Sequence, residues 1–187
     1  MSLNLEHIIQ HCKQQEPEAQ KKLYEMYKDN LYAICIRYVK SNAEAEDVFI
    51  EGFYKILTKI DMYKGEGSFE GWMRRIMVNE CLMYIRRQTN LHMTVAIPDQ
   101  DIADEVMDDE TDFDFDQIMR ILDELPTGYR TVFNLYVFEG YKHREIAEML
   151  SISINTSKSQ LIMAKKKIVE ALKKKDNVSS IFSNKKI

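Results

Sequence analysis

Apolar residues recur along this chain at steps of three and four, and over no useful length at steps of two. That spacing predicts helices and no sheet. Leu23, Tyr27, Leu31, Ile34 and Tyr38 mark one helical face. Ser41 stands three residues before Glu44, a capping-box spacing, so a second helix is expected through AEAEDVFIEGFYKIL. Gly65 and Gly67 in DMYKGEGS then break helical order, and Ser68 is placed to cap a third helix from Phe69 to about Gln88.

A second helical block begins at FDQIMRILDEL, restarts with Pro126 as first helical residue, and pauses at Gly140. Beyond it, YKHREIAEMLSISINTSKSQLIMAKKK reads as an amphipathic helix broken at SISIN. Ile146, Ala147 and Leu150 share a face before the break, and Ile152 and Ile154 fall in the turn. A longer helix is expected from about Asn155 to Ala171. Its inner stripe is Ser157, Leu161, Ala164, Ile168 and Leu172, and its outer face is Ser159, Ile162, Met163 and Lys166, flanked by Asn155 and Lys158. The fold class expected is all-α: two small helical domains, the C-terminal one containing a helix-turn-helix.

Charge separates the two blocks. Residues 91–117 hold ten acids and no Lys or Arg, so the net charge of −4 originates there. Residues 118–187 are basic, with thirteen Lys or Arg against seven acids, and residues 1–90 are balanced. The acidic stretch lacks helical period and reads as a linker extended by its own repulsion. In a chain of 187 residues, 45% hydrophobic content is enough for a buried core. No run of about 18 apolar residues or export signal is visible. Cys12, Cys35 and Cys81 are odd in number and unpaired in spacing, which points to a reducing cytoplasm.

A short helix, a tight turn and a longer helix with a polar outer N-terminal face suit entry into a DNA major groove. The plain alternative is a helical hairpin with solvated lysines, which leaves Ile162 and Met163 without a role that thymine methyls would supply. On the third helix, Trp72, Arg75, Asn79, Met83 and Arg86 fall on one side, with Val78, Cys81 and Ile85 on a core side. Arginines meet phosphates, and an Asn amide reads a base edge. The preceding loop, with Tyr63, Lys64, Ser68 and Phe69, offers aromatic planes and a cation to an unstacked base. His7 and His11 stand four apart beside Cys12, a spacing able to touch a metal, but incidental histidines on a surface helix are the reading taken. No nucleophile–base pair, metal signature or nucleotide loop is found, so neither catalysis nor a cofactor is expected.

The block LPTGYRTVFNLYVFEGYKHREIAEMLSISINTSKSQLIMAKKKI resembles region 4 of extracytoplasmic-function (ECF) sigma factors, of the sigma-70 family. AEAEDVFIEGFYKILTKI is similar to their polymerase-binding helix, and YKGEGSFEGWMRRIMVNECLMYIRR to their loop and helix for the minus-10 element. The resemblance implies a region 2 domain at residues 1–92, an acidic linker at 93–116 that threads polymerase channels, a region 4 domain at 117–175 and a basic tail at 176–187. It implies core RNA polymerase, promoter DNA and an anti-sigma factor as partners, without membrane insertion of the chain itself. Asp47, Ile50, Glu51 and Phe53 would bind the polymerase. Tyr63, Lys64, Ser68, Phe69, Trp72, Arg75, Asn79 and Arg86 would bind the minus-10 element. Asn155, Thr156, Lys158, Ser159, Gln160, Ile162, Met163 and Lys166 would bind the minus-35 element.

The match has departures. Ile50 stands where the family commonly has Gln, Ser151 where the turn usually has Gly, Ser157 where an aliphatic residue is usual, and Gln160 and Met163 where Arg is frequent. Fewer phosphate contacts would follow, so weak duplex binding by the isolated chain is expected. Opening roughly ten base-pair steps costs on the order of 14 kcal/mol. Stacking one or two flipped bases returns only about 1–3 kcal/mol each. A large partner must therefore hold the bubble. The competing readings are a dimeric DNA-binding regulator with a palindromic site and a purely helical interaction module.

Overall fold

A computed structural model describes residues 2–89 and 115–183, which form helices and turns without strands. The chain divides into two compact units, residues 1–91 and 92–187. The acidic segment, expected as a linker at 93–116, lies almost wholly outside the described residues.

Four helices build the first unit: α1 (Ser2–Lys13), α2 (Pro17–Tyr38), α3 (Asn42–Thr58) and α4 (Phe69–Thr89). Gln15 turns left-handed between α1 and α2, and Pro17 opens α2 where its missing N–H costs nothing. Ser41 accepts from the Glu44 amide at 3.4 Å. The Glu44 carboxylate, however, takes the Gln88 amide of α4 at 3.2 Å rather than closing the capping box. Ser68 likewise accepts from the Gly71 amide at 3.3 Å. The predicted faces are buried except at Tyr27, which is half-buried: Leu23, Leu31, Ile34 and Tyr38 of α2, Val48, Phe49 and Ile56 of α3, and Val78, Cys81 and Ile85 of α4 form the core where these helices pack. Each such aliphatic side chain contributes about 1.5–3 kcal/mol on leaving water. α3 and α4 close tightly at Gly52, where an added Cβ would lie 2.6 Å from Met77 Sδ. The buried Glu80 carboxylate meets Lys55 Nζ at 2.6 Å across this pair.

The second unit holds α5 (Phe115–Glu124), α6 (Thr127–Phe133), α7 (His143–Leu150) and α8 (Ile154–Ser183). Pro126 caps α6 rather than standing inside it, one residue earlier in role than expected. A π-helical turn, Asn134–Phe138, follows α6 directly. α8 continues well past Ala171, taking in most of the expected tail. Nothing between Leu172 and Ser183 is Gly or Pro, so the sequence has no stop there. The inner stripe of α8 is as expected, with Ser157, Leu161, Ala164, Ile168 and Leu172 all buried.

Candidate nucleic-acid interface

The first surface is built where the loop meets the start of α4. Gly65 and Gly67 have φ of 81° and 75°, values open to Gly at little cost, and they reverse the chain between Tyr63 and Ser68. The Tyr63 hydroxyl donates to the Gly67 carbonyl at 2.8 Å and closes the loop. Lys13 of α1 donates to the Tyr63 carbonyl at 3.3 Å and ties it down from the other side. Tyr63, Phe69 and Trp72 form one aromatic cluster, with Phe69 and Trp72 stacked at 5.5 Å and Tyr63 edge-on to Phe69 at 4.9 Å. Phe69 is only 4% exposed. Its expected role as a plane offered to a base is therefore corrected: Phe69 is the floor on which Tyr63 and Trp72 rest, both half-buried. Tyr27 packs behind it at 6.5 Å, and burial, with the Glu70 charge second, pushes the Tyr27 phenol up and keeps it neutral.

Lys64 and Ser68 are exposed at the rim of the loop. Along α4, Arg75, Asn79, Met83 and Arg86 all face outward. At 1.5 Å per residue the stripe from Arg75 to Arg86 spans about 16 Å. The expected grouping is thus brought together, with Phe69 as its buried floor rather than an exposed plane.

The second surface is the helix-turn-helix of α7 and α8. Ser151 takes the left-handed conformation, φ 54° and ψ 44°, which a turn Gly would take freely. Ser153, not singled out by sequence reasoning, caps α8 by accepting from the Thr156 amide at 2.9 Å. His143 Nδ1 meets the buried Ser157 Oγ at 2.9 Å and its ring stacks on Tyr136 at 4.7 Å. That link pins the start of α7 to α8. It also explains why a hydroxyl stands where an aliphatic residue was expected.

Asn155, Lys158 and Lys166 are exposed on the outer face of α8, and Thr156, Ser159, Ile162 and Met163 are half-buried. Ser159 Oγ donates back to the Asn155 carbonyl at 3.0 Å, so its hydrogen is engaged within the helix. Gln160 is 1% exposed and is corrected: it belongs to the core stripe and cannot reach DNA. Both its amide atoms lack a hydrogen-bond partner, and its side chain lies against Gly128 of α6. The family resemblance put it among the DNA contacts, although on the helix position 160 lies at the edge of the 157–161–164 stripe.

A third surface runs along α3. Asp47 and Glu51 are exposed, and Ile50 is 63% exposed between them. Phe53 is corrected from this surface: it is 7% exposed and packs edge-on against Tyr24 at 5.3 Å. Tyr54, 67% exposed, was missed, although it lies three and four residues beyond Glu51 and Ile50 on the same helical face. The Glu51–Arg87 pair at 3.7 Å is more than half exposed at both ends and contributes little.

Two family models match the chain in order: Sigma-70 region 2 over residues 23–90 and Sigma-70, region 4 over residues 115–168. The chain belongs to the sigma-70 family. Its relatives place this sigma factor in the ECF branch. It is 28% identical over 150 residues to the RNA polymerase sigma factor SigV of Bacillus subtilis, covering 80% of this chain and 89% of that one. It is 27% identical over 173 residues to the ECF sigma factor SigW of the same organism, covering 86% and 92%. The fold is that of the sigma factor RpoE of Bartonella quintana, solved with the anti-sigma factor NepR, at TM-score 0.54 and 20% identity over 82% of this chain and 96% of that one. No helix among the described residues is long and apolar enough to cross a membrane.

Proposed function

We propose that this ECF sigma factor joins core RNA polymerase through the outer face of α3 and reads two unlike promoter elements through its two units. The carrying observation is that one chain presents two different surfaces suited to nucleic acid: an aromatic loop with a cationic stripe, and a helix-turn-helix. Tyr63 and Trp72, supported by Phe69, would stack on an unpaired minus-10 base, with Lys64, Arg75 and Arg86 on phosphates and Asn79 on a base edge. Ser68 would hold the loop to α4 and contact backbone. Asn155, Thr156, Lys158, Ser159, Ile162, Met163 and Lys166 would face the minus-35 major groove. The chain itself supplies specificity and no catalytic group, and it acts in the cytoplasm. An anti-sigma factor is a further proposed partner, as solved for the similarly folded RpoE of Bartonella quintana with NepR.

Asp47, Ile50, Glu51 and Tyr54 make a face with two acids and two large apolar groups, which suits a basic-rimmed apolar groove on the polymerase. Size-exclusion chromatography with core polymerase tests this. Co-migration should weaken by at least about tenfold in affinity, roughly 1.4 kcal/mol, for Asp47→Ala/Glu51→Ala and again for Ile50→Ala/Tyr54→Ala. A free dimer that ignores polymerase would favour the conventional regulator instead.

A further inference from the structure

We infer that His7 and His11 form a surface site for a divalent transition-metal ion, with Glu16 orienting one of the ligands. The two imidazoles project from adjacent turns of α1, their ring centroids 4.0 Å apart, and their Nε2 atoms meet at 2.9 Å. On the other side of His11, Nδ1 meets Glu16 Oε2 at 2.7 Å. A carboxylate can only accept there, so Nδ1 carries the hydrogen, and in the neutral ring this leaves His11 Nε2 with a lone pair facing His7. This is the carboxylate–imidazole arrangement that fixes the tautomer and raises the basicity of metal-ligating histidines.

Without metal, the 2.9 Å contact takes its hydrogen from His7 Nε2. Binding an ion moves that hydrogen to His7 Nδ1, leaving two neutral nitrogens to coordinate with no net change in protons. On a tetrahedral ion with bonds of about 2.0–2.1 Å, two ligand nitrogens lie about 3.3 Å apart. The nitrogens need separate by a few tenths of an ångström, and each ring must tilt so that its lone pair turns from the N–N line toward the ion. Imidazole pairs of this kind suit zinc, nickel and copper rather than magnesium or calcium.

Cys12 does not complete the set. It is 1% exposed, and burial, with the Glu16 charge second, pushes its thiol up and holds the proton on sulfur. Among the described residues no group of three ligating side chains converges, so the chain supplies two ligands and water or another molecule the rest. The site lies outside the three surfaces assigned above.

Isothermal titration of the untagged full chain with Zn²⁺ tests the site, with electron paramagnetic resonance of the Cu²⁺ form as a second reading. The expected result is one ion per chain and a copper signal split by two nitrogens. Affinity should fall on the order of tenfold or more in H7Q, in H11Q and in E16Q. His7 and Glu16 are exposed and His11 is half-buried, so these variants should keep the fold, which circular dichroism checks. Absence of saturable binding, or unchanged binding in the H7Q/H11Q double variant, overturns the site. Unchanged binding in E16Q alone overturns the orienting role of Glu16.

Discussion

At the scale of single residues, the second unit carries two local costs in its helix-turn-helix. Gln160 buries an amide whose nitrogen and oxygen both lack partners, and leaving such groups unmatched costs about 1–3 kcal/mol. Gln160→Met keeps the side-chain length and removes the polar atoms. It should raise unfolding stability by about 1 kcal/mol while leaving minus-35 affinity unchanged within error. Thermal unfolding and a binding titration on the same samples check both halves, and a loss of DNA affinity would restore Gln160 to the reading surface. Ser151 sits at φ 54°, a conformation costing an L-residue about 1–2 kcal/mol. Glycine gives part of that back through its larger chain entropy when unfolded. Ser151→Gly should therefore stabilise by about 0.5–1 kcal/mol, measured by urea titration, and a destabilised variant would contradict the turn geometry.

At the scale of elements, helix faces were legible because a 3.6-residue period marks the centre of an apolar stripe, as Leu23 to Tyr38 and Val78 to Ile85 show. The edges of a stripe were not legible. Phe53, Phe69 and Gln160 all lie at positions where period alone leaves either side open: the aromatic type of Phe69 suggested a plane for a base, and the family resemblance carried Phe53 and Gln160 onto binding surfaces. The π-turn at Asn134–Phe138 and the His143–Ser157 contact arise from packing between elements, which no local pattern encodes. Gly52 belongs to the same class. It reads as a weak point inside a helix, yet it is what lets α3 and α4 approach over Met77. Gly52→Ala should cost about 1–3 kcal/mol by overpacking. Combining it with Met77→Ala should cost less than the two single changes added, because each relieves the other. A double-mutant cycle in urea that came out additive would remove the close approach as the explanation.

At the scale of the whole chain, the decisive feature is that ten acids within residues 91–117 offset a C-terminal half that is otherwise basic. Net charge governs non-specific attraction to nucleic acid. The isolated sigma factor should therefore bind random duplex weakly, and the acidic segment should be the reason. On α8 only Lys158 and Lys166 are exposed bases among the proposed contacts. Two phosphate contacts imply a shallow salt slope, about −2 in log K against log salt. Changing the ten acids to Asn and Gln takes the formal charge from −4 to +6. Random-duplex affinity should then rise at least about tenfold at low salt. The gain should vanish as screening shortens from about 30 Å at 0.01 M to about 3 Å at 1 M. Fluorescence anisotropy across a salt series reads both quantities. A variant binding no tighter than the native chain at low salt would separate weak binding from the acidic segment. The cause would then lie in the outer face of α8, where Met163 stands in a position that arginine often takes in this family.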